Sequence, residues 1–172
     1  MKSFRDFVEE LKKGKRMAIV KKPVSKNLEL AGIVHAAGET PVYFSKVNGS
    51  KFHTVANVFP NRELVCEYLG VGKNELLQKL IYALQNPSRP KTQDTGSVLE
   101  NSTTDIDLGR LPIPIHAEKD GGPYISSAII IAQDREFGRN CSFHRMMVIG
   151  KDRVVVRILP RHLQEFINRA SG

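Results

Sequence analysis

Asn140-Cys141-Ser142-Phe143-His144-Arg145-Met146 is the stretch on which the fold turns. It carries an amide, a hydroxyl, an imidazole and a guanidinium, holds neither glycine nor proline, and sits in a Cys141 to Ile149 segment that reads as a strand. Strand side chains alternate between faces, so Asn140, Ser142 and His144 share one side, and Cys141, Phe143 and Arg145 the other. One face can therefore hold a ligand while the other packs. Polar head groups lining such a wall cost stability unless each has a partner, which an anionic cofactor or a metal would supply.

Outward from this strand, Tyr124 to Gln133 is a long apolar run, Asp134 to Gly138 a loop, Gly150-Lys151-Asp152 a turn, and Arg153 to Leu159 a third strand. Three successive antiparallel strands predict the opening of a β-barrel, and a helix from Pro160 to Arg169 follows them. Upstream, Asp120 to Pro123 is a turn, and Leu111-Pro112-Ile113-Pro114-Ile115 must be extended because proline lacks a ladder donor. The polar stretch from Asn86-Pro87 to Gly96 is the boundary signal, dividing the chain into residues 1–96 and 97–172.

The first part alternates helix and strand. Ser3 and Asp6 suit a capping box for a helix carrying Phe4, Phe7, Val8 and Leu11 and ending near Gly14. Met17 to Val20 fits a buried strand, Asn27 to Ala37 a helix stopped by Gly38, Pro41 to Phe44 a strand and Phe52 to Val58 another. Helices are predicted over Arg62 to Leu69 and Asn74 to Leu84, the leucine rows of the latter being assigned to the core. The fold class is α/β in the α+β sense: an α/β layer followed by antiparallel strands.

Composition narrows function. A hydrophobic fraction of 41% and a charged fraction of 26% are ordinary for a globular chain. No run approaches the roughly 20 apolar residues of a membrane helix, and the start is unlike a secretory signal, so the expected location is cytoplasmic. Cys66 and Cys141 lack metal-ligand spacing and read as free thiols. The net charge of +8 suits anionic ligands; the basic run from Lys12 to Lys26 lacks interleaved aromatics for stacking bases, which argues against nucleic acid.

The ordered set Asp120-Gly121-Gly122-Pro123-Tyr124-Ile125, Asn140 to Met146, and Arg161-His162 resembles the N-terminal portion of the UbiD family of prenylated-FMN-dependent decarboxylases, in its archaeal form. The resemblance extends over the N-terminal α/β region and the proline-rich approach at Leu111 to His116, and implies that the barrel is a flavin-reductase-like split β-barrel, incomplete here. It implies a carboxy-lyase: reversible, non-oxidative decarboxylation of an unsaturated or aromatic acid through a prenylated-flavin adduct. The implied cofactors are prenylated FMN and a divalent metal, manganese, with potassium as a further ion. Asn140 and His162 match the family's metal ligands. Ser142, Phe143, His144 and Arg145 match the segment that holds the flavin, with Ser126 and Arg161 on neighbouring strands. Arg145 also matches the catalytic arginine, a bidentate clamp for carboxylate.

The family's third metal ligand and its proton-donating glutamate lie beyond residue 172, and Glu118, Glu136 and Glu165 occupy unrelated places. The chain by itself is therefore expected to turn over little or nothing, whether it is the N-terminal part of an enzyme or one subunit of a split one. Implied partners are the acid substrate, a flavin prenyltransferase supplying the cofactor, and a second copy or a complementary C-terminal chain covering residues 124 to 159. The other reading is a non-catalytic module for flavin-phosphate binding or subunit assembly. Plainer roles stay open residue by residue: His144 as a satisfied rim histidine, His162 as helix-start surface, Arg145 paired with Asp134 or Asp152, Asn140 as a turn residue. His35, His53 and His116 are assigned to structure.

Overall fold

The computed structural model describes residues 2–171. In chain order its helices and strands are α1 (Phe4–Lys13), β1 (Ala18–Val20), α2 (Glu29–Ala36), β2 (Val42–Phe44), β3 (Thr54–Ala56), α3 (Arg62–Leu69), α4 (Leu76–Gln85), β4 (Tyr124–Asp134), β5 (Gly138–Val148), β6 (Val154–Val156) and α5 (His162–Ser171). They form two compact units, each assembled from separated stretches: one from the residues up to Lys22 with Val34–Ser45 and His53–Asp105, the other from Pro23–Ile33, Lys46–Phe52 and the residues from Ile106 onward.

The first unit is built around α1. Ser3 Oγ accepts from Asp6 N at 3.2 Å while the Asp6 carboxylate accepts from Ser3 N, which completes the expected capping box; the Ser3 hydroxyl, donating to Asp6 Oδ2 at 2.7 Å, and then the Ser3 N–H hold the Asp6 carboxyl below its ordinary pKa. The helix ends at Gly14, whose N–H reaches Glu10 O at 2.8 Å. Its inner face contributes Phe7, Val8 and Leu11 to a core with Met17, Val58 and Leu64, against which Tyr43, Val55 and Tyr68 pack. Phe7, Phe59 and Tyr68 form an aromatic triangle with centroids 5.2–5.7 Å apart. The strand order is β1-β2-β3, with β1 parallel and β3 antiparallel to β2. Asn61 caps α3 through Leu64 N at 3.1 Å, Gly70 ends it at φ +67°, and Arg16 grips Glu67 bidentately at 2.8 and 2.6 Å.

Three expectations for this unit need correction. β1 is an edge strand, and Ile19 is 45% exposed, so the apolar run at Met17 to Val20 buries Met17 rather than a whole strand. β3 is shorter than the predicted Phe52 to Val58 because β2 offers only three residues for it to pair with. On α4 the leucine rows are not core: Leu76 is buried, but Leu77, Leu80, Ile81 and Leu84 are exposed, the last at 82%. Helical periodicity states which face would gain from burial; it does not state that the chain supplies a surface to bury it.

In the second unit the three late strands are antiparallel in the order β4-β5-β6. The extended Leu111 to Ile115 segment is held to residues 26–28: Ile115 N donates to Lys26 O at 2.9 Å, Leu28 N to Ile115 O at 3.2 Å, and Lys26 Nζ reaches Gly109 O at 2.6 Å. Gly121 and Gly122 run against Met147, where an added Cβ on Gly121 would lie 3.2 Å from its sulfur. β4 and β5 pair along most of their length, from Tyr124↔Met147 to Asp134↔Gly138, with an irregularity between Ile125 and Ala128. At the hairpin tip Asp134 Oδ1 accepts from Glu136 N and Phe137 N, Gly138 takes φ +76°, and Arg169 of α5 pairs with both Asp134 and Glu136. The third strand is cut to Val154–Val156, since its ladder to β5 covers only Met146 to Val148. Beyond Val156 the chain leaves β5, and the edge of β5 from Arg145 back to Asn140 has no third-strand partner there.

Candidate functional site

The alternation expected along β5 is present. Asn140, Ser142 and His144 are half-buried, and Cys141, Phe143 and Arg145 are exposed. Opposite the polar row stand Ala132, Ile130 and Ala128 of β4, small or aliphatic side chains that offer no hydrogen bonds. The row partners itself instead: Asn140 Nδ2 donates to Ser142 Oγ at 3.4 Å, and Ser142 Oγ lies 2.9 Å from His144 Nε2. This leaves the Asn140 amide oxygen as the end available to a cation. On the other face Arg145 lies over the Tyr124 ring at 4.8 Å, a cation–π contact that holds the guanidinium in place.

Where the third strand departs, a cavity of about 850 Å³ opens. One side is β5 from Asn140 to Arg145; the other is the segment after β6 and the start of α5, with Arg157, Arg161 and His162. Met147, Val155 and Leu159 supply an apolar floor. The volume falls within the range of roughly 300–1,000 Å³ typical of small-molecule and cofactor sites. Its electrostatics are one-sided: Arg145, Arg157 and Arg161 line it, and no carboxylate is among the lining residues.

Of the residues selected from sequence, Asn140, Ser142, Phe143, His144, Arg145, Arg161 and His162 share this cavity. Ser126 does not line it; it lies exposed at the β4 irregularity. The plainer role of Arg145 as an ion-pair partner is not what the structure shows, because Asp134 is taken by Arg169, and Asp152 lies 3.8 Å from Arg153. Asn140 is inside a strand rather than in a turn. His53 is structural as expected, its Nδ1 3.0 Å from Ser45 O and its ring stacked with Tyr43. Sequence reading passed over Tyr124 and Arg157. Tyr124 stood inside the Gly-Gly-Pro-Tyr-Ile motif, and Arg157 is two residues past Val155, the strand alternation that would have put both on one face.

Among the described residues no group of three or more His, Cys, Asp or Glu side chains is placed to hold a metal. Asn140 and His162 thus offer an amide oxygen and an imidazole nitrogen around a shared cavity, an incomplete donor set. Such a set suits a borderline-hard divalent cation whose remaining positions are filled by oxygen from another source. No helix among the described residues is long and apolar enough to cross a membrane.

The chain is of the α+β class, with a polar-walled, arginine-rimmed cavity beside its second sheet. Family comparison is specific: residues 8–84 match the N-terminal domain of 3-octaprenyl-4-hydroxybenzoate carboxy-lyase, and residues 89–171 match its Rift-related domain. The chain belongs to the UbiD family. It is 33% identical to the anhydromevalonate phosphate decarboxylase of Methanothermobacter thermautotrophicus over 97% of this chain and 39% of that protein. Against the same enzyme of Methanosarcina mazei the identity is 36%, over 93% of this chain and 37% of that one. In structure it is similar to an evolved dimeric form of the UbiD-class enzyme HmfF from Pelotomaculum thermopropionicum in complex with prFMN, with a TM-score of 0.91, 36% identity, and coverage of 98% of this chain and 41% of that one. The vanillic acid decarboxylase of Sedimentibacter hydroxybenzoicus in open form gives a TM-score of 0.77 at 29% identity, covering 91% and 37%. The chain spans about two-fifths of the length of these relatives.

Proposed function

We propose that this chain is the cofactor-binding, N-terminal part of a UbiD-type carboxy-lyase that removes carbon dioxide, reversibly, from an unsaturated or aromatic carboxylic acid. The observation that carries the reading is the convergence of Asn140, Ser142, His144, Arg145, Arg161 and His162 on one cavity free of carboxylates. Prenylated FMN, when bound, supplies the electron sink that decarboxylation requires. Asn140 and His162 would hold a divalent metal, manganese, and Ser142, Phe143, His144 and Arg161 would hold the flavin; Ser126, outside the cavity, is not part of this set. Relatives with bound prFMN and FMN support a flavin here.

Arg145 is the carboxylate clamp. A guanidinium binds a carboxylate through two parallel hydrogen bonds. Tyr124 beneath it restricts its rotamers, so less entropy is lost when the substrate arrives. Phe143, 75% exposed beside it, offers an apolar face to an unsaturated substrate or cofactor ring. No carboxylic acid lines the cavity to donate the proton that must replace carbon dioxide. The acid therefore comes from outside these residues, from a downstream segment or a complementary chain, and a flavin prenyltransferase supplies the cofactor.

That same lack of an acid favours a second reading, in which the chain is a flavin-binding subunit of a split enzyme. Decarboxylation of cinnamate by the purified chain, co-produced with a flavin prenyltransferase, separates the readings from their alternatives. Little or no turnover is expected from the chain alone. Robust turnover would show that the proton donor lies within these 172 residues and that its assignment elsewhere is wrong.

A further inference from the structure

The polar row of β5 is a chain of hydrogen bonds, and its direction decides what His144 offers the cavity. Asn140 Nδ2 donates to Ser142 Oγ at 3.4 Å, and Ser142 Oγ lies 2.9 Å from His144 Nε2. An amide nitrogen only donates, so Ser142 Oγ is the acceptor of the first bond. Its own hydrogen then needs an acceptor. Ala132, Ile130 and Ala128 across the ladder offer no side-chain acceptor, and the Ser142 hydroxyl makes no other hydrogen bond among the described residues. His144 Nε2 fills that place, which spares a half-buried hydroxyl the cost of an unpaired hydrogen.

We infer that Asn140 and Ser142 are positioning residues for His144: together they hold its ring in the tautomer protonated at Nδ1, so that it meets the cavity's ligand as a hydrogen-bond donor to an oxygen of the flavin. The inference rests on the flavin-binding reading given above. His144 lines the cavity, and no hydrogen bond joins its Nδ1 to another group among the described residues, so the N–H placed there is free for a ligand. The far end of the row agrees in direction. Turning the Asn140 amide over would point its oxygen at Ser142, draw the hydroxyl hydrogen to itself, and leave Nε2 to donate to Oγ. Nδ1 would then be an acceptor, and Asn140 would show a cation two hydrogens instead of an oxygen. One orientation of the amide therefore serves both ends, with its oxygen outward for a cation and its nitrogen inward, setting His144 as a donor.

The test reads the ring directly. In the full chain, isotope-labelled at its histidine nitrogens and held at about pH 8.5, where an ordinary imidazole is neutral, long-range proton–nitrogen correlation spectra separate the two tautomers. A His144→Gln chain identifies the signals of this ring. With neither flavin nor metal added, the Nδ1–H form should exceed the Nε2–H form about fivefold or more. Asn140→Asp, whose carboxylate only accepts, should reverse that preference, and Ser142→Ala should abolish it. Added FMN should move the Nδ1 resonance of the unsubstituted chain. A ring that is mainly Nε2–H in the unsubstituted chain would overturn the inference, as would an Nδ1–H preference that survives either substitution; FMN binding in those cases would leave the flavin reading standing. FMN that binds without moving the Nδ1 resonance would overturn the donor role. An unsubstituted chain that takes up no FMN would overturn the flavin reading itself, and the donor role with it.

Discussion

Phe7 and Phe143 are the same side chain in opposite circumstances. Phe7 is fully buried, stacked against Phe59 at 5.7 Å and edge-on to Tyr68, in a core that α1 closes from above. Phe143 is 75% exposed, on a strand whose other face carries a polar row and whose edge borders a cavity. In the first unit Phe7 stabilises the core it sits in; in the second, Phe143 and three arginines line a cavity while exposed, an arrangement suited to holding a ligand.

The sharpest way to break that contrast is to truncate both. Phe7→Ala should cost about 3–5 kcal/mol, through lost transfer energy and the cavity left behind. For a domain whose whole stability is about 5–15 kcal/mol that is a large share. Phe143→Ala should stay within about 0.5 kcal/mol, as surface substitutions do, yet reduce the flavin retained on purification. Urea unfolding curves of both variants check the pair; comparable losses would mean that Phe143 is core.

A smaller effect concerns how the second unit is pinned at the hairpin tip. Backbone N–H groups of Phe137 and Glu136, with the Arg169 guanidinium as a lesser contribution, hold the Asp134 carboxyl below its ordinary value of 3.8. A carboxyl depressed in the folded state stabilises the fold above its unfolded pKa, and that contribution disappears as pH falls through the folded value. Asp134→Asn should therefore have a lower Tm than the parent at neutral pH, and the gap should narrow as the pH is lowered through and below the ordinary carboxyl value of 3.8. A gap that stays constant over that range would show that the charge is not what holds the tip.

Much of this molecule was legible from residue order. The capping pair Ser3 and Asp6, the stops at Gly14 and Gly38, and the hairpin at Asp134 to Gly138 are local signals, and local signals are what a sequence states most directly. The two-residue alternation from Asn140 to Arg145 likewise carried through to the site. What was not legible depended on non-local supply. Leu80 and Leu84 have core spacing on α4 but meet no surface that buries them, and β6 stops at Val156 because its neighbour's ladder ends there, not because Arg157 or Ile158 disfavours a strand. Tyr124 was hidden for the same reason: its contact with Arg145 crosses two strands and depends on the register Tyr124↔Met147.

The central claim is that Asn140 and His162 together secure a metal-bound flavin phosphate at the β5 wall. Its most direct test is the absorbance spectrum and metal content of the chain co-produced with a flavin prenyltransferase and manganese, beside Asn140→Ala and His162→Ala. The account predicts bound flavin and manganese in the unsubstituted chain, and at least a tenfold loss of metal affinity in each variant with folding unchanged. Flavin and manganese retained at the same level in both variants would contradict it.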